Sequence, residues 1–454
     1  MSHIRFLVVI ITELFIVFLL FTACMAVCLA LGVTMVLPLC VGFFLFSFLA
    51  FRRGRSVRQI LSYAKGSLGD SFIVIVILLL IGCLTGLWRV SGTVAYFVSI
   101  GVSLIPPRLF LLAAFLLSSL MSFALGTSFG VTATAGVILI SIARAGGVNP
   151  VLAAGAILSG VYVGDRGSPA ASSANLVAVL THTDMPQNVR DMLRCSVVPF
   201  LLCCVLYTLL SFLSPMHSVD TAITDMLAQE FALKWYCLIP AILMIVLPFC
   251  NVNIKASMLI SLLASFAVSV FVQGETLLGC LRAMLLGFEP ENSALSSMLS
   301  GGGIMSMLEV CVILVISGTY GGIFENTDIL DGLSGRLAAL CARIGRFGVM
   351  LLLGTGACAL FCNQTIGVIM QSQLAASLYA ESDEERREKM LDIENSSILV
   401  AGLIPWCIAC SVPLAMLDAD VRAVPFSFYL WLVPLLFLIT RKKEAAKNSK
   451  ECKA

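Results

Sequence analysis

Runs of about 20 apolar residues, the length that crosses a roughly 30 Å hydrocarbon layer, recur through this chain from Phe6 to the basic stretch that begins at Arg441. In lipid every backbone N–H and C=O needs an internal partner, so spans of this length must be helices; barrel strands would be about 10 residues long and alternate in polarity. The expectation is an all-α polytopic membrane protein. Composition agrees, with 59% hydrophobic and 12% charged residues over 454 positions, against about 45–50% and about 25% in soluble domains. A formal net charge of +2 gives no footing for nucleic acid as a partner. Cysteines such as Cys24, Cys28, Cys203, Cys204, Cys358 and Cys362 lie inside apolar runs and act as small hydrophobes. The pair Cys407 and Cys410 has no second CxxC and no nearby His, and His3, His182 and His217 are too scattered for zinc or haem, so no cofactor is expected.

Breaks at Gly, Pro and charge place spans near 6–27, 31–51, 71–89, 93–106, 108–124, 130–144 and 148–163. Further spans fall near 195–214, 234–250, 254–273, 308–324, 347–361, 394–415 and 421–440. The apolar run at the N-terminus is longer than a secretory signal and reads as a retained span. The first loop carries Arg52, Arg53, Arg55, Arg58 and Lys65, and the tail carries Arg441, Lys442, Lys443, Lys447 and Lys450. The positive-inside rule puts both, and both termini, in the cytoplasm, with the chain multi-pass in the cytoplasmic membrane.

The chain also resembles itself. "YAKGSLGDSFIVIVILLLIGCLTGLW" aligns with "MLSGGGIMSMLEVCVILVISGTYGGIF" without a gap, Gly66, Gly82 and Gly86 meeting Gly302, Gly318 and Gly322. The same offset lays Thr127 and Ser128 over Asn363 and Gln364. Two related halves with polar breaks at equivalent places are the pattern of inverted-repeat secondary transporters, whose site lies where broken helices or re-entrant hairpins meet. The organisation expected is a two-helix hairpin over 1–65, a first repeat over 66–214, an amphipathic linker over 215–233, connecting helices over 234–300, a second repeat over 301–440 and a basic tail over 441–454.

Four stretches depart from a lipid-compatible composition. "GTSFGVTATAG" supplies Thr127 and Ser128; close helix packing and hydroxyls bonded to their own helix are its structural alternative. "GDRGSPAASSAN" sets Asp165 beside Arg166, breaks the helix at Pro169, and follows with Ser172, Ser173 and Asn175. Freed carbonyls beside hydroxyls suit a small cation, while exposed N–H groups at a new helix start suit a carboxylate; the alternative is an ion pair at the water interface. "FCNQTIGVIMQSQ" brings Asn363 and Gln364, amides that are costly in a span unless bonded or hydrated. "DIENSSILVAGLIPW" brings Glu394 and Asn395, read as the opening of a span, where Glu394 could simply favour a helix start. Glu13, Glu309 and Glu325 are further acids in or near spans, and Asp328 and Asp331 sit in a polar stretch.

Several of these segments, in order from about Lys65 to Pro434, resemble the NhaC-type sodium/proton antiporter family. "GTSFGVTATAG" is similar to its GTSxGT segment, "VGDRGSPAASSAN" to YFGDKxSPxSDTTN, "FCNQTIG" to its TANQ segment, and "ENSSILVAGLIPWC" to EDSxTLxxxLIPWNT. The resemblance implies a secondary transporter of the cytoplasmic membrane that exchanges cations for protons, or in some relatives organic acids or amino acids. The chain departs from the pattern where ligands are expected. Arg166 stands for the family's Lys, Ser172 for its Asp, Ser173 and Ala174 for its two Thr, Asn395 for the Asp after Glu394, and Cys407 for an Asn, while Asn175 is kept.

The expected function is antiport of Na+ or another small cation against H+, with exchange of amino acids or small carboxylates as the alternative. Asp165 and Glu394 carry charge compensation. Thr127, Ser128, Ser172, Ser173, Asn175, Asn363, Gln364 and Asn395 offer neutral ligands, with Na+ placed at Ser173, Asn175 and Asn363. Arg166 is expected to hold Asp165 ionised, since a neighbouring cation favours a carboxylate. The partners expected are these solutes and the lipid bilayer, and a homodimer is compatible with the reading. An enzyme is not expected, because no HExxH, GxSxG or clustered His/Cys/Asp set appears.

Overall fold

A computed structural model describes residues 13, 16–28, 31, 33–66, 68–104, 106–216, 221–250, 252–290, 292, 295–325 and 334–451. They form helices joined by short breaks. In order these are α1 (Ile16–Cys28), α2 (Val36–Arg52), α3 (Val57–Gly66), α4 (Leu68–Val90), α5 (Thr93–Leu104), α6 (Phe110–Leu125) and α7 (Ser128–Ala145). Then follow α8 (Pro150–Gly167), α9 (Ser172–Thr181), α10 (Met185–Leu213), α11 (Thr221–Glu230), α12 (Ile239–Phe249), α13 (Ile254–Phe271) and α14 (Leu277–Leu286). The second half holds α15 (Leu308–Glu325), α16 (Ser334–Ile344), α17 (Arg346–Phe361), α18 (Gln364–Leu374), α19 (Asp383–Glu394), α20 (Ile408–Met416) and α21 (Phe428–Glu451).

Among the described residues, three helices are long and apolar enough to cross a membrane, Pro107–Leu125, Ser128–Ala145 and Met185–Leu213. Two bent pairs also qualify, Ile75–Val90 with Thr93–Ile100 at 64° and Asp383–Leu403 with Ile408–Met416 at 50°. Shorter apolar helical stretches, of 10–17 described residues each, lie beside them. Gly92, at φ 72°, lies at the first bend, and Pro405 lies in the second, where it supplies no backbone donor. This is a fold of broken spans, as expected.

The interior sorts itself by residue size and polarity. On α10, Leu193, Val197, Leu201, Val205 and Leu209 recur every fourth position and are exposed on one stripe that faces lipid. Met192, Ser196, Cys203 and Tyr207 of the same helix face inward and are buried. α6 and α8 pack against each other more extensively than any other pair. Gly160 and Gly164 make this possible: a Cβ at Gly164 would sit 1.9 Å from the Ser122 carbonyl carbon, and one at Gly160 would sit 2.6 Å from the Phe115 oxygen. Small residues one helical turn apart let two backbones meet, the main route to helix association in lipid.

Candidate functional site

The site grows out of two helix breaks with the same backbone. α6 ends at Leu125, Gly126 turns left-handed at φ 66°, and Thr127 caps α7 by accepting the Gly130 N–H at 3.2 Å. In the second half α17 ends at Phe361, Cys362 turns left-handed at φ 55°, and Asn363 caps α18 by accepting the Thr365 and Ile366 N–H groups at 2.8 and 3.3 Å. Each triplet, 126–128 and 362–364, is separated from the other by the repeat offset read from sequence. Thr127 and Asn363 thus have the capping role that short polar side chains fill at helix starts.

A third break supplies the charge. α8 ends at Gly167, Ser168 to Ala171 cross over, and α9 starts at Ser172. A Cβ on Gly126 would lie 2.4 Å from the Ala170 carbonyl carbon, so glycine is what lets the first break lie against this crossing. Asp165, buried near the end of α8, accepts the Ser128 N–H at 3.4 Å on one oxygen and the Gln364 amide at 3.5 Å on the other. Ser173 donates to the Asp165 carbonyl at 2.5 Å, and the hydroxyls of Ser128 and Ser173 lie within reach of the carboxyl group. The two related helix starts therefore meet across one carboxylate, with Gln364 also donating to the Ile398 carbonyl at 2.9 Å.

Arg166 looks elsewhere. It is fully buried, and its guanidinium donates to Asn395 Oδ1 at 2.7 Å, Tyr429 Oη at 3.1 Å, Cys195 Sγ at 3.0 Å and the Met192 carbonyl at 3.4 Å, and also to Ser196 Oγ. The expected Arg166–Asp165 contact is not among these bonds: successive helical residues are turned by about 100°, which sends the two side chains to different neighbours. Glu394 lies within Coulombic reach of both Asp165 and Arg166, is fully buried, and has no hydrogen-bond partner on either carboxyl oxygen. It is the last residue of α19, with Asn395 as the C-cap, inside the bent pair Asp383–Leu403 and Ile408–Met416.

Other expected ligands do not converge. Asn175 donates to the Pro169 and Ala171 carbonyls at 3.0 and 2.7 Å, tying up its own crossover, and both Asn175 and Ser172 are exposed. Thr132 and Thr134 bond back to the Ser128 and Gly130 carbonyls at 2.7 and 2.8 Å, beside a π-helical turn over Thr132–Gly136. Glu13 pairs with Arg52 at 2.7 Å and Glu309 accepts from Thr34 at 2.5 Å. The Glu325 side chain, Asp328 and Asp331 lie outside the described residues. Sequence reading missed the Arg166 cradle of Cys195, Ser196 and Tyr429. It also missed the buried chain in which Ser397 donates to Gln371 Oε1 at 2.5 Å and Gln371 donates to Ser396 at 2.7 Å. Gln371, Ser396 and Ser397 belonged to stretches already marked as polar; Cys195, Ser196 and Tyr429 gave no signal, being ordinary in any buried helix.

The family model described as the Na+/H+ antiporter family matches residues 160–441, which include Asp165, Ser173, Gln364 and Glu394. The chain belongs to that family. It is a secondary antiporter, multi-pass in the membrane, and not an enzyme. The malate-2H+/Na+-lactate antiporter of Bacillus subtilis (strain 168) is 28% identical over 377 residues, covering 82% of this chain and 81% of that protein. The Na+/H+ antiporter NhaC of Alkalihalophilus pseudofirmus is 25% identical over 377 residues, with 80% of each covered. The arginine/ornithine antiporter ArcD of Halobacterium salinarum is 24% identical over 382 residues, covering 82% of this antiporter and 78% of that one.

Proposed function

We propose that the antiporter exchanges Na+ or another small monovalent cation for H+ at the Asp165–Glu394 centre. One observation carries the reading: two buried carboxyl groups, Asp165 and Glu394, lie within Coulombic reach of each other, one buried guanidinium, that of Arg166, lies within reach of Glu394, and neither Glu394 oxygen is bonded. With both acids ionised the group holds one uncompensated negative charge, which costs several kcal/mol away from water. One proton or one monovalent cation removes that charge, so the two compete for the same electrostatic vacancy. The cation would take Asp165 and the oxygens of Ser128, Ser173 and Gln364, a set displaced from the expected Ser173, Asn175 and Asn363. Glu394 would carry the proton.

The orientation follows from charge. The stretch from Arg441 and the loop after Arg52 are both rich in basic residues, and we place them and both termini in the cytoplasm. A homodimer would use part of the lipid-facing surface.

Reconstitution in liposomes loaded with a pH-sensitive dye tests the reading. Na+ or Li+ added outside an acid-loaded vesicle should raise the internal pH. Silence toward Na+, Li+ and K+ would overturn it. An exchanger of amino acids or small carboxylates is the second reading, and the relatives named for malate, lactate and arginine favour it. Arg166 is a poor solute ligand in that reading because its guanidinium is already bonded to five protein groups.

A further inference from the structure

A second buried arginine stands without the company that Arg166 has. Arg89, at the end of α4, is 4% exposed. Its Nη1 donates to the Thr85 carbonyl one turn back at 2.9 Å, its Nε has no partner, and among the described residues no acceptor is bonded to its Nη2. It lines a cavity of about 750 Å³ together with Thr34, Ser306, Glu309, Ser411 and Asp420. That volume lies within the about 300–1,000 Å³ typical of small-molecule sites. A turn of three glycines, Gly301 to Gly303, all at positive φ, runs past the guanidinium; a Cβ on Gly302 would stand 2.9 Å from Nη1.

The charges around Arg89 do not satisfy it. Arg144 and Asp418 lie within its Coulombic reach, but they pair with each other at 3.3 Å. Asp420, on the cavity wall, is bound by Arg422 at 2.5 Å, and Glu309 is engaged with Thr34. A guanidinium removed from water and left with one backbone acceptor costs free energy that a bidentate anion would offset.

We propose that this cavity is a binding site for a small organic carboxylate, held by Arg89. Its position gives the site a role in transport. Thr34 and Val421, which precede or begin elements leading into α2 and α21, line this cavity, whereas Arg441 on α21 lines a separate cavity of about 480 Å³ with Asp191, Cys195 and Arg387. Phe428 to Arg441 spans about 20 Å of helix, so the two cavities lie toward opposite ends of the molecule. None of Asp165, Ser173, Gln364 and Glu394 lines the Arg89 cavity. The proposal therefore goes beyond cation–proton exchange and stands or falls separately from it.

The test uses the full chain purified in detergent, with acetate, L-lactate and succinate as probes and the corresponding amides as controls, followed by isothermal titration. At least one carboxylate should bind, its amide at least about tenfold more weakly, a difference of about 1.4 kcal/mol. Arg89→Gln should lose that preference and Arg89→Lys should keep part of it. A role confined to capping α4 would alter the melting temperature of Arg89→Gln and leave carboxylate affinity unchanged, which would overturn the proposal. Absence of binding by all three carboxylates, or equal binding of acid and amide to the wild-type chain, would do the same. If Arg89→Gln fails to fold, Ser306→Phe fills the cavity from its exposed rim and should weaken binding; unchanged affinity there also counts against the site. Dye-reported cation–proton exchange, run in parallel, reports on the Asp165 centre alone.

Discussion

Asp165 and Arg166 are neighbours in sequence and strangers in space. Asp165 receives groups from both halves of the chain, while Arg166 is absorbed by Asn395, Ser196, Tyr429, Cys195 and the Met192 carbonyl. Their substitutions should therefore behave differently. Asp165→Asn keeps the shape and the hydrogen-bonding capacity of the side chain but removes the charge, and should abolish cation-dependent pH change in the dye assay while the protein still elutes as a folded species. Arg166→Gln leaves Glu394 without its buried counter-charge, and should lower thermal stability by about 3 kcal/mol or more, the usual cost of breaking a buried charge arrangement; a melting curve in detergent checks this. Glu394→Gln removes the proposed proton carrier and should make any remaining cation movement independent of the pH gradient, measured with labelled Na+ at matched and mismatched internal pH.

At the scale of elements, the informative units are the breaks. Thr127→Ala and Asn363→Ala each remove a helix cap and should cost about 1 kcal/mol, with Asn363→Asp close to wild type because aspartate caps equally well; thermal melts of the three variants decide. Gly164→Val would drive atoms into the Ser122 carbonyl, already 1.9 Å from an added Cβ, and should cost at least about 2–3 kcal/mol by overpacking the α6–α8 seam. The polar breaks were legible in sequence because Gly, Pro, Ser and Asn interrupt otherwise uniform apolar runs. Helix boundaries were less so: α10 begins at Met185, ten residues before the hydropathy span, because its first turns are polar and lie beyond the apolar stretch.

For the whole molecule, we propose that the two cavities mark the two ends of a transport path through the Asp165 centre. On the Arg441 side the closure is ionic: Arg387 donates to Asp191 at 2.6 Å across α10 and α19, Arg346 binds Glu385 at 2.6 Å, and Arg441 binds Glu388 at 3.0 Å. Cys195 lines that cavity and also contacts Arg166 and Asn395, so it connects the ionic layer to the buried centre. In a variant whose only cysteine is Cys195, a membrane-impermeant maleimide should label from the Arg441 side and stop transport, and Arg387→Gln should speed labelling by opening the Asp191 contact. Labelling from the opposite face would reverse the assigned orientation of this path.

The amino-acid order by itself determined the solvent this chain folds in, its helical class and the Gly, Pro and polar positions beside which helices break, because each follows from local hydropathy and backbone chemistry. Only tertiary structure decided which polar groups meet. Ser128 and Gln364 reach one carboxylate from positions far apart in the chain, Asn175 turns back on its own loop, and Arg166 leaves Asp165 for partners on other helices. Those choices depend on helix rotation and packing, and neighbours along a helix face different directions whatever their charges.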